Sequence, residues 1–113
     1  MRCRGGTPGL WKNKTVKWIP TGYDPADDFD SVFGVDLFTP DITLLDAVEQ
    51  VGQGKLIFSA HATAALLNAN HPDIDYPLTE AQLIQMVQDA VLSNGLEPLK
   101  NKFDMFNNSG CPL

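Results

Sequence analysis

Two cysteines at opposite ends of the chain, Cys3 and Cys111, constrain its fold more than any other feature. An even pair placed this way reads as one disulfide that closes nearly the whole chain into a ring. The other reading is two unpaired thiols near the chain ends. Disulfides persist in oxidising compartments, so a bridge here implies an extracellular or periplasmic protein. In the chain-entropy description, closing a loop this long stabilises the fold by about 4–5 kcal/mol.

A chain of 113 residues suits one domain with a modest core, and a single domain over residues 1–113 is expected. Its 43% hydrophobic and 19% charged residues are those of a globular chain. No apolar run approaches the ~18–20 residues that a membrane span needs. The opening Met1-Arg2-Cys3-Arg4 lacks the apolar stretch of a secretory leader, so a secreted form is expected to have lost it.

Charge is unevenly distributed. Residues 1–18 carry Arg2, Arg4, Lys12, Lys14 and Lys17 with no acid, whereas residues 19–89 carry twelve Asp and Glu against Lys55 alone. A net charge of −6 disfavours nonspecific nucleic-acid binding, which requires a basic face. The split suggests that the basic arm docks on acidic surface, and the chain's own surface is the simpler choice.

Gly5-Gly6, Pro8-Gly9, Pro20, Gly22, Pro25, Gly34 and Pro40 punctuate residues 1–40, which show no sustained helical period. From Thr43 the pattern becomes helical. Thr43 can cap a short helix from Leu44 to about Val51, with Asp46 in its first turn. Gly52 and Gly54 stop and restart the chain, and an alanine-rich helix runs from Lys55 to Asn70, before Pro72. Its small side chains allow close approach by neighbours, which makes it the expected centre of the fold. Thr79-Glu80-Ala81-Gln82 is a capping box that opens a third helix, and Leu83, Val87, Ala90 and Val91 form its apolar stripe, ended by Gly95. Leu96, Leu99, Phe103 and Phe106 define a fourth, with Pro98 in its first turn. The expected fold is mainly α: about four packed helices over residues 41–113, an irregular Gly/Pro/Asp-rich arm over 1–40, and one terminal disulfide.

The run Cys3-Arg4-Gly5-Gly6-Thr7-Pro8-Gly9-Leu10-Trp11-Lys12-Asn13, followed by Trp18, resembles the opening of a widespread family of secreted bacterial modules. The helix ending Leu67-Asn68-Ala69, the segment from His71 to Thr79 and the closing Gly110-Cys111-Pro112-Leu113 are also similar to that family. Lys14 stands where many members carry histidine, so no role of that histidine transfers here. The resemblance implies a secreted, largely helical, disulfide-closed module with no settled activity.

Several residue groups are candidate sites. Trp11, Trp18 and Tyr23, with Lys12, Lys14 and Lys17, could form a surface for a glycan or a protein partner. Two tryptophans in a small domain more often fill its core, with Trp18-Ile19 the expected plug. Asp24, Asp27, Asp28 and Asp30, with Asp36 nearby, bring carboxylates together as calcium requires. They lack the glycine and terminal Glu of an EF-hand loop, and turn or cap roles on a solvated loop explain them equally. His71, Asp73 and Asp75 make an incomplete metal set, better explained by a helix end and turn. Ser59 and His61 lie two apart on one helix and point in different directions, so they form no nucleophile–base pair. Asn13 and Asn107 match the glycosylation acceptor pattern.

The resulting expectation is an extracellular, non-enzymatic structural or adhesive module, self-assembling through the basic arm on acidic surface. A carbohydrate-binding module using exposed tryptophans is the second reading. The third is a small secreted hydrolase, for which no assembled catalytic motif is visible.

Overall fold

The helix signals of the C-terminal two thirds operate largely as written. The computed structural model describes residues 5–109. The Thr43 side chain accepts from Asp46 N while Asp46 accepts from Thr43 N, a reciprocal cap that starts a helix at Leu44–Val48. This helix ends short of Val51, and the Gln50 side chain covers one of its last turns by donating to Asp46 O. Gly52 (φ 114°) and Gly54 (φ 62°) then turn the chain through conformations that side chains resist.

The alanine-rich helix occupies Lys55–Asn70 as expected and is central. Phe58, Ala62, Ala65 and Leu66 are fully buried on it, and most of the other helices pack against it. Thr79 and Gln82 cap each other reciprocally at the start of Glu80–Ser93. Leu83, Val87 and Ala90 face the core there, and Val91 is half-buried. The residue that ends this helix is Asn94, left-handed at φ 59°, with Gly95 serving as the cap of the next. The last helix, Leu96–Asn107, buries Leu99 and Phe103, while Leu96 and Phe106 lie at the core's edge.

The N-terminal forty residues depart from the expectation of an irregular arm. Thr7 caps a helix at Pro8–Asn13, with proline at the first position, where its missing N–H costs nothing. A 3-10 helix follows at Thr15–Thr21, and Asp28 caps Phe29–Phe33. In chain order the α-helices are therefore α1 (Pro8–Asn13), α2 (Phe29–Phe33), α3 (Leu44–Val48), α4 (Lys55–Asn70), α5 (Glu80–Ser93) and α6 (Leu96–Asn107). Six α-helices and one 3-10 helix, with no strand, make up the described residues. The extra helices are five to seven residues long, too short to display a period. Their caps and their packing hold them.

The arm is also part of the core. Trp11 and Trp18 are 0% and 1% exposed, packed in one cluster with Phe29, Phe33, Phe58 and Phe103. Ile19, expected beside Trp18 in the plug, is instead 77% exposed. Trp18 Nε1 donates to Trp11 O at 2.9 Å, and Trp11 Nε1 donates to Asn68 Oδ1 at 3.0 Å, so both indoles are buried with their donors satisfied. No helix of the described residues is long and apolar enough to cross a membrane. Cys3 and Cys111, and with them the expected bridge, lie outside the described residues.

Candidate functional site

The burial of Trp11 and Trp18 removes the aromatic platform. Stacking on a sugar requires an open ring face, and neither indole offers one. Tyr23 is half-buried, and its hydroxyl donates to Glu80 Oε1 at 2.8 Å, tying the segment after the 3-10 helix to the start of α5. Burial and the Glu80 carboxylate together hold the Tyr23 phenol well above its ordinary range. Its role is structural.

The basic residues are placed differently. Lys12 and Lys14 are exposed, Lys17 is half-buried, and none of the three makes an ion pair with a carboxylate among the described residues. Among the described residues, the expected docking of the arm's lysines on the chain's own acids is not made as an ion pair. The arm is held instead by its tryptophans, which leave the ammonium groups outside. Between and beside these lysines, Val16 is 68% exposed and Ile19 77%. One short segment therefore presents positive charge and apolar surface together.

The Asp-rich stretch divides into two parts. Asp24 and Asp27 build a turn: Asp27 Oδ2 accepts from Asp24 N at 2.9 Å, and Asp24 Oδ1 accepts from Ala26 N at 2.8 Å. Asp28 and Asp30 belong to a cleft of about 750 Å³. The expected ligand set of Asp24, Asp27, Asp28 and Asp30 is thus not gathered. Among the described residues, no group of three or more His, Cys, Asp or Glu is placed to hold a metal ion. Local turn and cap bonds outcompete convergence for Asp24 and Asp27.

The cleft lies between α2, the loop that follows it, and the end of α5. Asp28, Asp30, Asp36 and Asp41 supply four carboxylates, and Val35, Val91 and Leu92 supply apolar surface. Asp28 Oδ2 accepts from Ser31 N at 2.8 Å as the α2 cap. Asp30 is only 8% exposed. Its Oδ2 accepts from Leu37 N at 3.1 Å and from Phe38 N at 3.0 Å, which folds the loop back over α2. Its Oδ1 is out of solvent, and the Asp41 carboxyl stands in side-chain hydrogen-bond contact with Asp30. Phe29 N donates to Ile42 O and Leu44 N to Asp27 O, and this pairing returns the chain so that Asp41 stands opposite Asp30. The negative field of Asp28 foremost, then desolvation, then the charge of Asp30 and a side-chain hydrogen bond with it, with Asp36 adding last, raise the Asp41 carboxyl above its ordinary range. Gly34, left-handed at φ 68°, ends α2, and Gln88 Nε2 on α5 closes that end by donating to Phe33 O at 3.0 Å.

The remaining candidates are structural. His71 is buried, its Nδ1 accepts from Asp73 N at 3.1 Å, and Asp73 and Asp75 point to solvent, as a helix end and turn require. Ser59 Oγ donates to Leu56 O, and His61 Nε2 lies 3.9 Å from Asp104, so the two side chains face different neighbours. Asn107 is fully buried in a hydrogen-bond network, which excludes it as a glycosylation acceptor in the folded chain, whereas Asn13 is exposed.

Sequence reasoning missed Asp41 and the contribution of α5. Val91 was visible only as part of a core-facing stripe, and Leu92, 87% exposed at the cleft, carried no signal. Asp41 follows Pro40 in a loop whose return path depends on the Asp30 staple. Comparison of the chain with protein-family models, with curated proteins and with solved structures gives no match.

Proposed function

We propose that this chain is an extracellular, non-enzymatic structural module that assembles with copies of itself. The segment from Lys12 to Ile19 of one copy docks on the acidic cleft of the next. The observation that carries this reading is the state of the arm: Lys12, Lys14 and Lys17 have no carboxylate partner among the described residues, and exposed Val16 and Ile19 lie among them. The cleft has the complementary character, four carboxylates beside Val35, Val91 and exposed Leu92. Complementary potentials of this kind fix partner and register. Two different patches on one chain make a head-to-tail contact, which extends into a ring or a filament.

The same proposal includes the secreted setting implied by the resemblance to bacterial Cys…Thr-Pro-Gly-aromatic-Trp-Lys-Asn modules, and a Cys3–Cys111 bridge. The bridge is supported by the packing of Gly5, which lies against the backbone of Phe106 and Asn107. Cys3 is two positions before Gly5 and Cys111 four positions after Asn107, and at about 3.3–3.6 Å per residue the two cysteines are within reach of each other along the sequence.

Size-exclusion chromatography with light scattering tests the assembly. The expected result is a mass above the monomer at low salt that falls as screening rises. A monomer at every salt and protein concentration would overturn the reading.

A further inference from the structure

We infer that the 3-10 helix docks through an apolar ridge: Val16 and Ile19 of one copy seat against Leu92, Val91 and Val35 of the next, anchoring a contact that the lysines orient. This inference rests on the self-assembly reading and names the side chains that hold it. The ridge follows from helix geometry. A 3-10 helix has about three residues per turn, so side chains at i and i+3 stand one above the other. In Thr15–Thr21 that period separates the faces. Trp18 and Thr21 form the buried one, and the Thr21 hydroxyl donates to Trp18 O at 2.6 Å along it. Lys14, at the cap, and Lys17 share a basic face. Val16 and Ile19 share the remaining one, and both are exposed.

The ridge is fixed away from the cleft of its own chain. Trp18 is buried with its indole N–H on Trp11 O, so the 3-10 helix cannot swing out without unpacking the core. The Tyr23–Glu80 bond ties the chain just past Ile19 to the start of α5. Leu92 lies twelve residues further along that helix, about 18 Å away. The occupant of the cleft is therefore the ridge of a second copy. Leu92 and Ile19 are the two most exposed large apolar side chains among the described residues, one on each of the two surfaces.

Charge and apolar surface play different parts in such a contact. Exposed lysine–carboxylate pairs are screened by water and salt, and they speed and orient encounter more than they hold it. Affinity concentrates in a central apolar anchor from which the surrounding groups exclude water. The arrangement on both surfaces matches that division. Lys14 and Lys17 flank the Val16–Ile19 ridge, and Asp36 and Asp41 stand beside Val35, Val91 and Leu92 on the cleft. When the two meet, the ridge covers Leu92 and the charges form the rim.

The test is light scattering at low salt on Ile19→Ser and Leu92→Gln beside the wild-type chain. Both residues are exposed, so unchanged circular dichroism is expected, and Val16→Ser decides the matter if either variant disturbs the fold. Each is expected to weaken association about tenfold or more, with every lysine and aspartate kept. Mixed, the two are expected to associate again and stop at a dimer, because Leu92→Gln keeps a ridge and Ile19→Ser keeps a cleft. Val51→Ser and Met105→Gln, at comparably exposed residues on neither surface, are expected to leave association unchanged. Wild-type assembly that survives Ile19→Ser and Leu92→Gln intact overturns the ridge and leaves arm-on-cleft docking standing. A mixture that stays monomeric, or an equal loss in Val51→Ser or Met105→Gln, overturns the ridge too. A wild-type chain that is monomeric at every salt and protein concentration overturns both.

Discussion

Asn68 and Asn107, both fully buried, are joined side chain to side chain by a 2.9 Å hydrogen bond from Asn68 Nδ2 to Asn107 Oδ1. Around this pair the N-terminal arm, the central helix and the last helix are locked together. Asn68 Oδ1 accepts from Gly6 N and Trp11 Nε1, and Asn68 Nδ2 also donates to Gly6 O. Asn107 Oδ1 accepts from the Tyr76 hydroxyl, and Asn107 Nδ2 donates to His61 O. A network this complete specifies one packing, and loss of one member strands the others.

Asn68→Leu removes the acceptor of two buried donors and a donor to Gly6 O and Asn107. Each stranded group costs about 1–3 kcal/mol, so a loss of at least about 3 kcal/mol in urea unfolding is expected. A loss below about 1 kcal/mol would show that the network does not hold the arm.

The arm's seat is also tight against glycine. A Cβ on Gly5 would overlap the Phe106 carbonyl oxygen, and one on Gly6 would overlap the Leu10 side chain while crowding Trp11 Nε1 and Asn68 Oδ1. Gly5→Ala and Gly6→Ala are each expected to cost about 1–3 kcal/mol. Gly9, in α1, meets only Thr7 Oγ1 at an ordinary 3.7 Å, so Gly9→Ala is expected to be neutral or to stabilise by up to about 1 kcal/mol. Urea midpoints of the three variants check the order.

How far this fold is legible in the sequence depends on element length. The Thr43 and Thr79 caps and the alanine run between Gly54 and Pro72 are local signals, and local physics honours them. α1, α2 and the 3-10 helix are too short for periodicity, and what stabilises them is contact with α4 and its neighbours. The Asp cluster was visible as composition. Which of its members meet was not, because Asp30 turns inward through bonds to residues seven and eight positions later, and Asp41 arrives by a returning loop. That Lys12, Lys14 and Lys17 meet no carboxylate among the described residues is likewise a fact of three-dimensional placement.

Two imidazoles, His71 buried and His61 half-buried, set a pH dependence. Burial lowers the folded-state pKa of His61, outweighing the nearby Asp104, and burial lowers that of His71, whose Nδ1 serves as an acceptor. The unfolded chain therefore binds more protons below the ordinary histidine pKa of about 6.5, and stability falls as pH drops through that value. The urea midpoint is expected to be lower at about pH 5.5 than at about 7.5, with a shallower difference in His61→Gln. Equal slopes in wild type and His61→Gln would remove His61 from this account.

For the terminal bridge, Cys3→Ser is expected to cost about 4–5 kcal/mol, and the unreduced chain is expected to weigh two hydrogens less than the reduced one. Identical masses before and after reduction would exclude the bridge.

The most direct test of the assembly itself is a mixing experiment with complementary variants. Lys12→Gln/Lys14→Gln/Lys17→Gln keeps the cleft and neutralises the arm's lysines; Asp36→Asn/Asp41→Asn keeps the arm and neutralises half of the cleft's carboxylates. By light scattering each is expected to be monomeric alone, and the mixture to form a one-to-one dimer that grows no further, since only one productive contact remains. A mixture that stays monomeric, or either variant assembling alone as the wild type does, would contradict head-to-tail docking of arm on cleft.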